Sequence, residues 1–180
     1  MSTNPYEPSS AVSAPASPRA QASSPVWAIA RSVLGVVGGV LAGGIVVALI
    51  EIPGTVLHPL PPGVDMADAE VLKAHFARAP LGALIGIAIA WSVGPLVGSW
   101  VAASIARWAF FAHGVIIGGI FVAFDVMNIR SFPHPTWLAV VGVLGPLVMS
   151  WLGSSLAEWL LAPRSPDPKP YDMRKKNMAC

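Results

Sequence analysis

Six side chains have the types and the placement to do chemistry: Glu51, His58, His75, Asp125, Arg130 and His134. Asp125 and Glu51 come at the ends of long apolar runs. A carboxylate at membrane depth is expensive unless it is paired or hydrated, so it is a functional candidate by default. Arg130, five residues after Asp125, is off the ideal spacing for one helix face but can fold back toward it. The histidines recur in a pattern, as His58-Pro59 and His134-Pro135, with His75 between them. Imidazole and carboxylate groups on one side of a membrane are the ligands that zinc or copper would use. The spacings argue against that use. The chain has no HExxH, no histidine pair at i,i+4 and no CxxC, and His-Pro before an apolar run reads as a turn and helix start. His113 lacks a partner at matched depth for haem. No metal and no cofactor are expected. Nucleotide-loop, GxSxG, kinase and deaminase signatures are absent as well.

The elements that must position these groups are membrane spans. Of 180 residues, 54% are hydrophobic and 11% are charged, about half the charge of an ordinary soluble domain. Four apolar segments, at about 26–50, 81–106, 110–129 and 136–161, each approach the ~20 residues that cross a hydrocarbon core. Each must be helical, since lipid offers backbone groups no partner. Residues 1–25 are rich in Ser, Pro and Ala and are expected to be a disordered tail. Residues 162–180 form a basic tail. Loop 51–80 holds a short amphipathic helix at 65–78, capped by Asp65, with Met66, Ala69, Leu72 and Phe76 on one face. It lies over the bundle or on the membrane surface, or closes over a site as a lid.

The chain also matches itself. Gly94-Pro95-Leu96-Val97-Gly98-Ser99-Trp100 returns 51 positions later as Gly145-Pro146-Leu147-Val148-Met149-Ser150-Trp151, and 9 of 15 residues are identical through Trp108/Trp159. Residues 39–49 match 114–124 at 7 of 11 positions, 75 apart. The expected fold is therefore all-α and polytopic: a two-helix hairpin duplicated in tandem, its copies related by a pseudo-twofold axis along the membrane normal. The first copy carries a longer loop. The first and third spans, which share the matched Gly-Gly pair, are expected to cross closely at that axis. Pro95 and Pro146 each remove a backbone donor and are expected to kink their helices. Ser99 and Ser150 are expected to bond back to their own backbone.

Lys and Arg placement sets the orientation. Arg19, Arg31, Arg107 and five basic residues of the C-terminal tail fall on one side; Lys73, Arg78 and Arg130 fall on the other. Eight against three places both termini in the cytoplasm of a bacterial-type inner membrane. Arg31 is expected to reach the interface. The net charge of +2 gives no support to a nucleic-acid partner. The partners implied are the lipid bilayer and either further copies of the chain or a larger membrane complex. The polar inventory is sparse and the helix faces are glycine-rich, which points to a small, non-enzymatic structural or accessory subunit. The alternative is an oligomeric small transporter or channel in which Asp125 and Glu51 face the ion or solute. A metal-dependent membrane enzyme using the outer histidines and acids is a third reading.

Overall fold

The computed structural model describes residues 25–63, 65 and 68–162. The two expected tails fall almost wholly outside the described residues, as does Met66. Within them the chain forms five helices: α1 (Pro25–Leu57), α2 (Ala69–Phe76), α3 (Leu81–Ala106), α4 (Phe110–Ser131) and α5 (Thr136–Leu161). All but α2 are long and apolar enough to cross a membrane.

The helix ends have local causes. Pro25 is the first residue of α1, where its missing N–H is no loss. Pro80 and Pro135 are extended residues at the starts of α3 and α5, and each carbonyl accepts from the amides three and four residues on. Arg107, at φ 59°, closes α3 by donating its N–H to the Ala103 carbonyl at 2.9 Å. Only residues 107–109 then separate α3 from α4, so the two run antiparallel.

Two boundaries differ from the sequence expectation. The first span does not end at Ile50; α1 continues through Pro53 to Leu57. Proline forfeits one donor, but helix bonding resumes beyond it, with Thr55 Oγ1 donating to the Ile52 carbonyl and the His58 N–H to Gly54. The 33 residues of α1 span about 50 Å, against a hydrocarbon core of ~30 Å. The short helix begins at Ala69, not 65, because Asp68 rather than Asp65 caps it: its carboxylate accepts from the Glu70 and Val71 amides at 3.0 and 3.2 Å. Asp65 contributes its carbonyl to the Asp68 N–H instead.

Packing is organised around α3. Gly39 and Gly98 face each other, as do Gly43 and Gly94. A Cβ at Gly98 would lie 2.8 Å from the Gly39 carbonyl oxygen, and one at Gly43 would lie 2.7 Å from that of Gly94. Gly35 meets Ala102 one turn further along. The antiparallel helices α1 and α3 thus touch backbone to backbone, the close approach that drives helix association in lipid. On α4, Gly114 and Gly118 face Ser154 and Ser150 of α5 in a second antiparallel seam. Between them, α3 and α5 run parallel: Trp91 packs on Gly142, and Gly153 on the Leu96 carbonyl.

The expected close crossing of the first and third spans is not what forms. α1 reaches α4 through the side chains of Ile117 and Phe121, which rest on Gly39 and Gly43. The packed glycines of each helix are engaged elsewhere, Gly35, Gly39 and Gly43 of α1 by α3 and Gly114 and Gly118 of α4 by α5, while Gly44 and Gly119 face open space. Ser150 also departs from expectation. Its hydroxyl donates across the bundle to the Pro95 carbonyl at 3.4 Å, while Ser99 bonds back to Leu96 at 3.0 Å. Pro95 and Pro146 are fully buried within α3 and α5, which continue through both residues. Arg31 has a more specific role than reaching an interface. Its Nε and Nη2 donate to the Ile105 carbonyl at 3.1 and 2.6 Å, capping the C-terminal end of α3.

Candidate functional site

At the end of the bundle where α1 finishes and α3 begins, the spans part and leave a cavity of about 250 Å³. The last turns of α1 supply Glu51, Gly54 and Thr55 to its wall. The first half of α3 supplies Ala83, Gly86, Ile87 and Trp91, and α4 supplies Asn128. Phe132 and His134 come from the α4–α5 link, and α2 lies across the top with His75 and Phe76. Two ring contacts hold α2 there. His75 stacks on His58 with centroids 3.8 Å apart, and Phe76 tilts against Phe132 at 4.7 Å.

Four of the six candidate residues line this cavity: Glu51, His58, His75 and His134. Glu51 owes its position to the continuation of α1, which makes it part of the helix wall rather than a helix end. The histidines are fixed by hydrogen bonds to carbonyls. His58 Nε2 donates to the His75 carbonyl at 2.9 Å, and His75 Nε2 to the His58 carbonyl at 3.3 Å. His134 Nδ1 donates to the Phe132 carbonyl at 2.8 Å, and the ring tilts against Trp91 at 5.6 Å. A carbonyl cannot donate, so in each pair the imidazole nitrogen carries the proton. In its neutral form each ring keeps a lone pair on the other nitrogen.

Asp125 lies deeper. It is 5% exposed on α4, about one turn before Asn128, and is not part of the cavity lining. Its Oδ2 has no hydrogen-bond partner among the described residues, and Glu51 stands within Coulombic range. Arg130 is exposed in the last turn of α4, and no ion pair joins it to Asp125 among the described residues. The six residues therefore divide into a cavity group of four, a buried neighbour and an outlying cation. Nor do they converge as a metal centre: among the described residues no three of His, Cys, Asp and Glu come close enough to share an ion.

Trp91 is the residue that sequence reasoning missed. It is 3% exposed, belongs to the core cluster with Ala90 and Leu138, and also forms part of the cavity wall. Its signal was present, since Trp91 stands four residues before Pro95, where proline frees its carbonyl. A tryptophan in an apolar run reads equally well as packing or anchoring, and nothing local separates those roles.

Fold and site together define an all-α integral membrane protein of four spans, with a polar-edged cavity at one end. Comparison with protein-family models, curated proteins and solved structures finds no match.

Proposed function

We propose that the chain is a small, non-enzymatic structural or accessory subunit of a bacterial-type inner membrane, built as a tandem duplicate of one helical hairpin. The observation that carries this reading is the contact of backbone on backbone along α3. Glycines whose added Cβ would lie 2.7–2.8 Å from facing carbonyls let α1 and α3 pack backbone to backbone, which supports a rigid pairing of the two helices. A rigid unit of this kind suits a scaffold, whereas alternating access requires that such seams part.

The duplication is supported by the parallel run of α3 and α5. Trp91 and Gly142, which touch, are 51 positions apart, the offset of the match that begins three residues later at Gly94 and Gly145. Contact between equivalent residues is what a twofold axis passing between those two helices requires. The axis proposed here therefore lies between α3 and α5, not between α1 and α4. The seam of Gly39 and Gly43 on α3 likewise has its counterpart in that of Gly114 and Gly118 on α5.

One observation favours a second reading, an oligomeric transporter or channel: the unpartnered carboxylate oxygen of Asp125 beside Glu51. Mild solubilisation separates the two. A scaffold should co-purify with a larger membrane partner or with itself, and the chain reconstituted alone should pass no ions or protons. A proton or ion flux through the chain reconstituted alone, lost in Asp125→Asn, would favour the transporter; a lone monomer in several detergents would count against the scaffold.

The same reading puts both termini in the cytoplasm, with Arg31 and Arg107 at the inner end of the bundle. Cys180 is the single cysteine, so one label reports the side. An impermeant maleimide should leave Cys180 unmodified in intact cells and modify it in inverted vesicles; the opposite pattern would turn the molecule over.

A further inference from the structure

We infer that the cavity between α1, α2 and α3 is a binding site for a small organic cation, an ammonium or guanidinium group carried on an apolar body. This goes beyond the scaffold reading and does not depend on it.

The polar edge of the cavity is rich in acceptors. Glu51 offers a carboxylate. His58, His75 and His134 have each committed one N–H to a carbonyl, and the neutral ring keeps an acceptor nitrogen. Asn128 adds an amide oxygen. No lysine or arginine lines the wall among the described residues. On this side of the bundle Lys73 is engaged by Glu70 at 3.0 Å, and Arg78 and Arg130 are exposed and outside the lining. Asp125 lies buried behind the wall, its Oδ2 without a hydrogen-bond partner among the described residues. An anion would meet the Glu51 carboxylate here, and a neutral ligand would leave its charge unanswered.

A metal ion would also answer that charge, but the donors do not gather around one point. They are spread round a space whose remaining wall is mostly apolar and aromatic. A cavity of about 250 Å³ is equivalent to roughly eight waters at ~30 Å³ each. That is room for one ring and a short charged arm. Trp91, Phe76 and Phe132 bring aromatic rings to the wall, and an aromatic face attracts a cation in its own right.

The test uses the full chain in nanodiscs of zwitterionic lipid, with radiolabelled phenethylammonium as probe and empty nanodiscs as blank. Equilibrium dialysis should show saturable binding of one probe per chain. Phenethylguanidinium should compete, and phenethyl alcohol and phenylpropionate should compete far more weakly. Glu51→Gln should weaken binding by about thirtyfold or more, since it removes the charge partner. Gly86→Leu should abolish it. Gly86 lines the cavity and an added Cβ meets open space there, so this variant fills the site without disturbing a packed seam. It also decides the question should Glu51→Gln fail to fold. Absence of saturable binding, equal competition by the alcohol or the acid, or binding unchanged in Gly86→Leu would each overturn the assignment.

Discussion

Gly39→Ala should cost the bundle about 3 kcal/mol, the upper end of the usual overpacking penalty, while Gly44→Ala, one turn away, should cost nothing. The two glycines look alike in the sequence and sit in the same apolar helix. A methyl group at Gly39 would lie 2.8 Å from the Ala102 side chain and 3.1 Å from Ile117, and closer still to the Gly98 carbonyl oxygen. A carbonyl within a helix cannot rotate aside, so α1 must back away from α3. That movement also separates Gly43 from Gly94 and Gly35 from Ala102. At Gly44 an added methyl meets nothing within 4 Å. Alanine there should be neutral, or stabilising by up to ~1 kcal/mol through its better helix propensity. Reversible SDS unfolding in mixed micelles, followed by helical circular dichroism, measures both. Equal effects at the two sites would mean that α1 does not rest on α3 through this face.

This contrast marks where the sequence stops being informative. The four spans were legible because each is a long apolar run that lipid forces into a helix. The small-residue spacing of Gly35, Gly39 and Gly43 showed that α1 has a face for close packing. It did not show the partner. A stripe of glycines fits any helix with a matching strip of small residues, and α3, α4 and α5 all carry one. Choosing α3 over α4 depends on three-dimensional fit. The end of α1 was misplaced for a related reason. Pro53 reads locally as a stop, yet the loss of one donor is tolerated where the following turn completes its own bonds.

The candidate site was legible by side and less so by depth. Glu51, His58, His75 and His134 share a wall because all lie near the same ends of their helices, which hydropathy alone predicts. Asp125 and Arg130 were grouped with them on the same grounds, but helix rotation carries Asp125 into the packed interior and leaves Arg130 exposed. Rotation about a helix axis is set by packing, and four apolar helices give little amphipathic signal to fix it. The aromatic contacts that hold α2 in place, His75 on His58 and Phe76 on Phe132, join residues 17 and 56 positions apart. No local pattern could pair them.

Trp91 links the packed core to the cavity wall, and its replacement should have the other large effect. Trp91→Ala removes a side chain that is 3% exposed and packed among Leu138 and Ala90. Such a truncation costs about 3–5 kcal/mol in a water-soluble core. About 3 kcal/mol is expected here, because the unfolded reference is in lipid and the hydrophobic transfer contribution largely drops out. The informative experiment is a double-mutant cycle with Gly142. Alone, Gly142→Ala should be destabilising, since its methyl would lie 2.7 Å from Trp91 Cζ3 and 2.8 Å from Cε3. In the Trp91→Ala background the obstructing ring is gone, and the same methyl enters the vacated space. The double variant should therefore be more stable than the sum of the singles by about 1 kcal/mol or more. Strict additivity would mean that the two residues do not touch. Coupling of this sign would fix the parallel register of α3 against α5, and with it the place where an axis relating the two halves of the chain would have to run.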